Sequence, residues 1–375
     1  MSSAANRVLV IGGGFSGMSA AIQLRKSGVD VDLVEIDPGW RSYGAGITIG
    51  GPALRAFRTI GVLSELKSHG AMTEGLDLFT AQGHLIAQVP TPRSAETDVP
   101  GTGGIMRPVL AKILAEATRA SGTNVRLGCT CTGLTQSDGY VEVTFSDGRH
   151  GRYDLVVGAD GLNSVTRKAV FPDAPPPRYT GQGVWRAVAP REGIERAAMA
   201  LGKRTKAGYN PVSATEMYLF VTEDRPTNTH VPDEELLPQL RGLLEEFSFP
   251  VIRRIADSLG PTSLICYRPL ESLLMPKPWW RGRIVLIGDA VHATTPHLAA
   301  GAGIGVEDAI VLAQELAAAA SVDVAMRAFQ ERRWERCRMV VENSARLGEL
   351  ERSGGDQQEH SRIMRESMMA LAAPI

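Results

Sequence analysis

The chain has 375 residues, enough for about two domains of ordinary size. Its 43% hydrophobic and 22% charged content is that of a soluble globular protein, and 40 basic against 41 acidic side chains give no bulk electrostatic reason to expect nucleic acid or an anionic membrane. No run of about 20 uncharged apolar residues exists, because Glu315 and Asp323 break the most apolar stretch.

The opening MSSAAN holds no signal or transit pattern, which predicts a cytoplasmic protein. Arg7 to Ile11 then reads as a short buried strand rich in branched residues. Gly12, Gly14 and Gly17 follow as G-x-G-x-x-G. The first glycine permits a tight turn, the second lets backbone approach a pyrophosphate, and the third lets helix pack closely on strand. The helix N-terminus offers free N–H groups and partial positive charge to phosphates. Gly28 ends that helix, and a second apolar strand delivers Glu35, placed to accept from a ribose diol and poorly suited to a 2′-phosphate. This segment alone allows FAD and NAD equally.

Further along, Cys129 and Cys131 are spaced to share one face of a strand; with Cys266 and Cys337 they read as reduced thiols, and no metal site is predicted. A second buried strand, Leu155 to Val157, runs into Asp160 at its carboxyl end, where open α/β sheets bind ligands. Around Trp185 and Tyr209, alternating apolar and polar residues predict an antiparallel sheet instead. A third strand, Ile284 to Ile287, ends at Asp289. After it, GAGIGVEDAIVLAQEL reads as a glycine turn followed by an amphipathic helix. Gly301, Ala302 and Gly303 have almost no side chains, so a flat ring can lie on their backbone with the helix N-terminus aimed at it. Asp289 is placed to bind ribityl hydroxyls between phosphate and ring. Arg332, Arg333, Arg336 and Arg338 read as helix surface and inter-domain pairing rather than a nucleic-acid patch.

With these motifs in order, the chain resembles the single-component FAD-dependent aromatic hydroxylases, salicylate hydroxylase-like members above all. VIGGGFSGMSAAIQL, GAGITIGGPALRAFRTIGV, MRPVLAKIL, GADGLNSVTR, GDAVHATTPHLAAGAG and EDAIVLAQEL carry the likeness across most of the chain. Some positions depart from the family pattern: DAVH stands for the usual DAAH, GAG for the commonest GQG, and Thr166 for a valine. None of these removes a charged ligand.

The resemblance implies an α/β fold with a Rossmann-like FAD-binding domain built on a parallel sheet (1–75, 101–178 and 268–325). A smaller α+β substrate domain with an antiparallel sheet (76–100 and 179–267) and C-terminal helices (326–375) complete it. It implies FAD held by Gly12, Gly14, Phe15, Ser16, Glu35 and Ile36 on the ADP side. Arg107, Asp160, Gly288, Asp289, Pro296, Gly301, Ala302 and Gly303 would hold the phosphate, ribityl and ring side. Arg41 would touch FAD or the nicotinamide nucleotide. Arg186, in a W-R pair common in the family's sheet, would grip a substrate carboxylate or phenolate, the alternative being a solvent-facing arginine. Tyr209 would exchange a hydrogen bond with a phenol, the alternative being a packed tyrosine with a satisfied hydroxyl; His297 would face the ring pocket, while His292 would support the turn.

The implied activity is hydroxylation of a small aromatic or polyketide-like substrate through a flavin C4a-hydroperoxide. NADH or NADPH would be the transient co-substrate and O2 the oxidant, in a monomer or homodimer. A flavin reductase without oxygen insertion, or a flavin-binding redox sensor, is the alternative; stoichiometric hydroxylated product separates them.

Overall fold

The computed structural model describes residues 3–91, 98–203 and 205–375. At its centre lies a six-stranded sheet in the order Trp280–Arg281, Ile284–Leu286, Leu155–Gly158, Arg7–Ile11, Asp30–Glu35, Asn124–Leu127. All neighbours pair in parallel except the short Trp280–Arg281 edge. The central strands are apolar without interruption because both faces are covered. Val8, Val10, Val157 and Val285 pack under helices Phe15–Lys26, Gly301–Ala318 and Val322–Ser353. Leu9, Ile11 and Val156 pack under a three-stranded antiparallel sheet through Val141, Val143 and Phe145.

The Gly301–Ala318 helix differs from the expected glycine turn and amphipathic helix. The glycines form its first turn, and every residue from Gly303 to Ala313 is buried. It lies between the Phe15–Lys26, Gly51–Ile60 and Val322–Ser353 helices and is apolar but for Glu307 and Asp308 in that stretch, which are paired with Arg333 and Arg336. Cys129 also departs from expectation, lying ahead of the strand that begins at Cys131. All four cysteines are free thiols.

The second large sheet has seven strands, ordered Ile265–Ser272, Arg178–Pro190, Glu216–Asp224, Thr205–Pro211, Ala197–Leu201, Leu76–Thr80, Leu85–Val89. It is antiparallel apart from the pairing of Leu76–Thr80 with Ala197–Leu201. Part of the TPRSAETDVPGT stretch, residues 92–97, lies outside the described residues. Because strand side chains alternate between faces, this sheet has two chemistries. One face, with Trp185, Ala187, Tyr209, Leu219 and Val221, packs on helices Asp233–Leu244 and Pro250–Ser258 through Leu240, Phe249 and Ile252. The other face, with Arg186, Asn210 and Tyr218, turns toward the ends of the parallel strands, as contacts with Thr48 and proximity to Arg107 establish.

Candidate cofactor and substrate site

Three parallel strands end together. Gly12 N–H donates to Val34 O, Ala159 N–H to Ile11 O and Ile287 N–H to Gly158 O. Gly12 has φ +103°, and a Cβ there would sit 2.5 Å from Ala159 O, so only glycine fits the turn. A Cβ on Gly17 would sit 2.0 Å from Gly12 O, which is the close helix–strand packing expected of that position. Nothing stands within 4 Å of a Cβ built on Gly14, so this backbone is open to a ligand. The helix that follows has no side-chain cap and no acid in its first turn, and its N–H groups are available to an anion.

Glu35 accepts from Gly13 N–H (2.7 Å) and Asp37 N–H (2.8 Å), one on each oxygen. A carboxylate has about four acceptor sites, so capacity for a diol remains. Ile36 beside it is 70% exposed, an apolar surface at the strand end. Arg41 is held in an exposed ion pair with Asp37 (2.9 Å) at the rim. Ser16 Oγ fills the space that side chains on Gly288 and Gly305 would need, and so joins the two glycine-rich turns.

Asp160 is engaged by its own loop, accepting from Ser164 Oγ (2.5 Å) and Thr166 N–H (2.9 Å). The buried Arg167 then ties that loop to the third strand end, donating to Leu162 O (2.7 Å) and Ala290 O (2.8 Å). Asp289, by contrast, makes no hydrogen bond or ion pair among the described residues. Its side chain is accessible yet walled in by protein, which raises its pKa against the pull of His292 and Arg107. Arg107 stacks over Phe15 (5.2 Å), and burial together with the nearby Arg186 lowers its pKa.

Behind Asp289, Asp308 accepts from Gly288 N–H (2.9 Å), His292 Nε2 (2.5 Å) and Arg333 Nε (2.8 Å), all buried. His292 thus supports the turn, as its position in the motif suggested. His292, Asp308 and Cys337 are close enough to ligate a cation, but the Arg333 guanidinium already occupies Asp308 and reaches Cys337 Sγ (3.4 Å). We read the group as an ion network. Pro296 and Ala299 are exposed, Gly301 and Ala302 half-buried, and the Gly301–Ala318 helix has no side-chain cap. A second open helix N-terminus therefore faces the same region. Gly303 is buried instead, a Cβ there lying 2.7 Å from Ala53 Cβ, so it serves packing.

Arg186 lies on the inward face of the seven-stranded sheet and has no hydrogen-bond or ion-pair partner among the described residues. Two expectations fail. Tyr209 lies on the outward face, packed with Phe249 (6.5 Å), its pKa pushed up to about 12 by burial. His297 is turned into the protein, with Nδ1 2.8 Å from Thr295 Oγ1 and Nε2 3.3 Å from Glu351 Oε2, the latter poorly aligned for a hydrogen bond. Glu351 is held well below the usual carboxylate range despite its burial, by Lys206 (2.8 Å), His297 and His360 (3.3 Å). Sequence reasoning missed the inward-facing polar chain in which Asn210 Nδ2 donates to Thr48 Oγ1 (2.9 Å) and Thr48 Oγ1 meets Tyr218 OH (2.6 Å). Its signal was present: Lys206, Gly208 and Asn210 alternate with Ala207 and Tyr209.

The open glycine turn, the Glu35 carboxylate beside it and a second uncapped helix N-terminus form the arrangement of a dinucleotide-binding protein. Residues 5–344 match the family model described as FAD binding domain, and the chain belongs to that family of FAD-dependent aromatic hydroxylases. It is an FAD-dependent monooxygenase. The chain is 32% identical over 353 residues to an aurachin C monooxygenase/isomerase of Stigmatella aurantiaca, covering 92% of this chain and 89% of that one. It is 31% identical over 346 residues to a 2-heptyl-3-hydroxy-4(1H)-quinolone synthase of Pseudomonas aeruginosa, with the same coverages, 92% and 89%. The fold is similar to that of Klebsiella pneumoniae HpxO complexed with FAD and uric acid, with a TM-score of 0.84, 22% identity and coverage of 98% and 97%. Among the described residues no helix is long and apolar enough to cross a membrane.

Proposed function

We propose that this monooxygenase hydroxylates an electron-rich aromatic or quinolone-like ring, with NADH or NADPH as reductant. In balance, substrate C–H, O2, NAD(P)H and a proton give C–OH, NAD(P)+ and water. The observation that carries this reading is Arg186, a guanidinium with no partner among the described residues, on the sheet face turned toward Arg107 and Asp289. The names of the relatives, which act on aurachin and quinolone rings, support the substrate class.

On this reading Gly12, Gly14, Phe15, Ser16, Glu35 and Ile36 hold the ADP part of FAD. Arg107 and Asp289 hold its middle, and Gly301 and Ala302 border its ring. When bound, FAD supplies the redox and oxygen-activating chemistry. The protein orients the substrate ring, excludes water and places positive partial charge from the 301–318 helix where negative charge accumulates. Arg186 anchors an anionic or enolic oxygen of the substrate. The chain has one full dinucleotide fingerprint, so the nicotinamide nucleotide docks transiently, with Arg41 at the rim as its contact. The division into an FAD-binding domain (1–75, 101–178, 268–325), a substrate domain (76–100, 179–267) and C-terminal helices (326–375) belongs to this reading. So do a cytoplasmic location and a monomeric or homodimeric state.

The test is direct. The purified protein should be yellow, release FAD on denaturation, and consume O2 and NAD(P)H in step with hydroxylated product. Colourless protein that cannot be reconstituted with FAD would overturn the cofactor assignment. Substrate turnover without O2 uptake would favour a dehydrogenase.

A further inference from the structure

The strand registers tile the inward face of the seven-stranded sheet into rows. Asn210 lies beside Tyr218, and Tyr218 beside Val188. In the next row Gly208 lies beside Phe220, Phe220 beside Arg186 and Arg186 beside Cys266. In the third, Lys206 lies beside Thr222 and Thr222 beside Val184. The outer rows are less open: Asn210, Tyr218, Thr222 and Val184 are buried and Lys206 is tied to Glu351, while Val188 is half-buried and Arg268, beside Val184, is exposed at the sheet's edge strand. In the middle row Phe220, Arg186 and Cys266 are half-exposed, so this row is the accessible floor.

Gly208 is the odd member of that floor. Its backbone angles are ordinary, so conformation does not demand glycine there. Space does: a Cβ would lie 2.3 Å from Phe220 Cζ and 2.8 Å from Ala198 O. The Phe220 ring therefore lies down across the trough that the missing side chain leaves. Its other flank is Arg186, and Tyr218 holds it from the next row at 5.9 Å between centroids.

We infer that Phe220, lying across Gly208, is the specificity-determining residue that sets the depth of the substrate pocket and so the size of ring it admits. This rests on the assignment of the inward face as the substrate side. An aromatic floor beside a guanidinium fits a planar ring with one acidic substituent: the ring stacks on Phe220 while the substituent reaches Arg186. Removing the Phe220 ring opens the trough down to Gly208 and admits a larger fused ring. A side chain at 208 lifts Phe220 and makes the floor shallower.

The test uses FAD-loaded protein and two probes, 2-hydroxybenzoate with one ring and 1-hydroxy-2-naphthoate with two, titrated by perturbation of the flavin absorbance. In Phe220→Ala the ratio of naphthoate to benzoate dissociation constants should fall about tenfold or more, with FAD affinity unchanged. Both probes binding with an unaltered ratio would overturn the role of Phe220 and leave the substrate-side assignment standing. Neither probe perturbing the flavin in any variant, while FAD still binds, would overturn that assignment and this inference with it. A second measurement needs no probe. Gly208→Ala should lower the melting temperature less in the Phe220→Ala background than in the wild type, because part of its clash has gone; equal losses would remove the Gly208–Phe220 contact from the argument.

Discussion

The His292 ring and the Asp308 carboxylate meet at 2.5 Å with neither side chain exposed to solvent. Burial alone would neutralise both groups. The pairing reverses that: Asp308 holds the His292 pKa well above its usual value, while His292 and Arg333 bring Asp308 down to about 2. The pair therefore stays ionised under the 286–292 turn, and it fixes Gly288 as well. Asp308→Asn leaves His292 without its counter-charge and Arg333 with Glu307 (3.0 Å) in place of two carboxylates, and breaking such a buried pair costs about 3–5 kcal/mol. Chemical denaturation of the FAD-free protein should show that loss.

The sign of the pH dependence follows from the same shifts. His292 has a raised folded pKa, so its contribution is complete below about 6.5 and is lost as pH rises through that raised value. Asp308 has a lowered one, so its contribution is complete above its ordinary value and is lost as pH falls toward about 2. His292→Asn should remove the alkaline loss of stability attributable to this pair. Melting temperatures of both proteins from pH 5 to 10 check this, and parallel curves would rule out the ionised pair.

Asp289 and Asp160 should separate cleanly. Among the described residues Asp289 makes no hydrogen bond or ion pair, whereas Asp160 is engaged by Ser164 and Thr166. If Asp289 holds a ribityl hydroxyl, Asp289→Ala loses a charge-assisted hydrogen bond of roughly 1.5–3 kcal/mol, and the FAD dissociation constant rises about tenfold or more. Asp160→Ala should instead loosen the 160–167 loop, with a smaller change in FAD affinity. Fluorescence titration with FAD decides between the two.

How much of this was legible in the sequence depends on how local each constraint is. Gly12 and Gly17 are demanded by atoms in the same turn or the strand beside it, so the G-x-G-x-x-G pattern read correctly. A strand's period of two separates its faces without saying which one the helices cover, so the sequence leaves Tyr209 open between a phenol contact and a packed tyrosine, and the structure packs it. The helix that covers it, Pro250–Ser258, is forty residues away in sequence. His297 failed for a longer-range reason. Its partner Glu351 lies on a helix whose docking no motif specifies. The Gly301–Ala318 helix reads as amphipathic, yet its acids Glu307 and Asp308 are buried. Arg333 and Arg336 neutralise both inside the protein.

The parity of the strand gives a paired prediction. Tyr209→Phe removes a hydroxyl on the outward face and should leave substrate kinetics unaltered. Tyr218→Phe removes the partner of Thr48 on the inward face. It should cost about 0.5–1.5 kcal/mol in stability and change kcat/KM for substrate. Steady-state kinetics in which Tyr209→Phe is the damaging change would reverse the assignment of faces.

Arg186 is the most consequential side chain on that inward face. The arginines near it differ in place: Arg107 stacks on Phe15, and Arg268, in the neighbouring row, is exposed at the edge strand and donates to Tyr267 O (3.1 Å). Among the described residues Arg186 has no acid to answer it, and a half-buried guanidinium without a counter-ion is a costly thing to keep unless a ligand supplies one. If the substrate does so with a phenolate, enolate or carboxylate, Arg186→Gln should lower kcat/KM by roughly 2–4 kcal/mol while FAD content stays at the wild-type level. Arg186→Lys should recover little, because the charge remains but the planar fork that engages two acceptor atoms is lost. Salt should weaken wild-type substrate binding more than that of Arg186→Gln, since only the former rests on a charge pair. If Arg186→Gln turns over substrate normally, the anchor is elsewhere on the inward face. The Asn210–Thr48–Tyr218 chain would then be the polar group left to orient the ring.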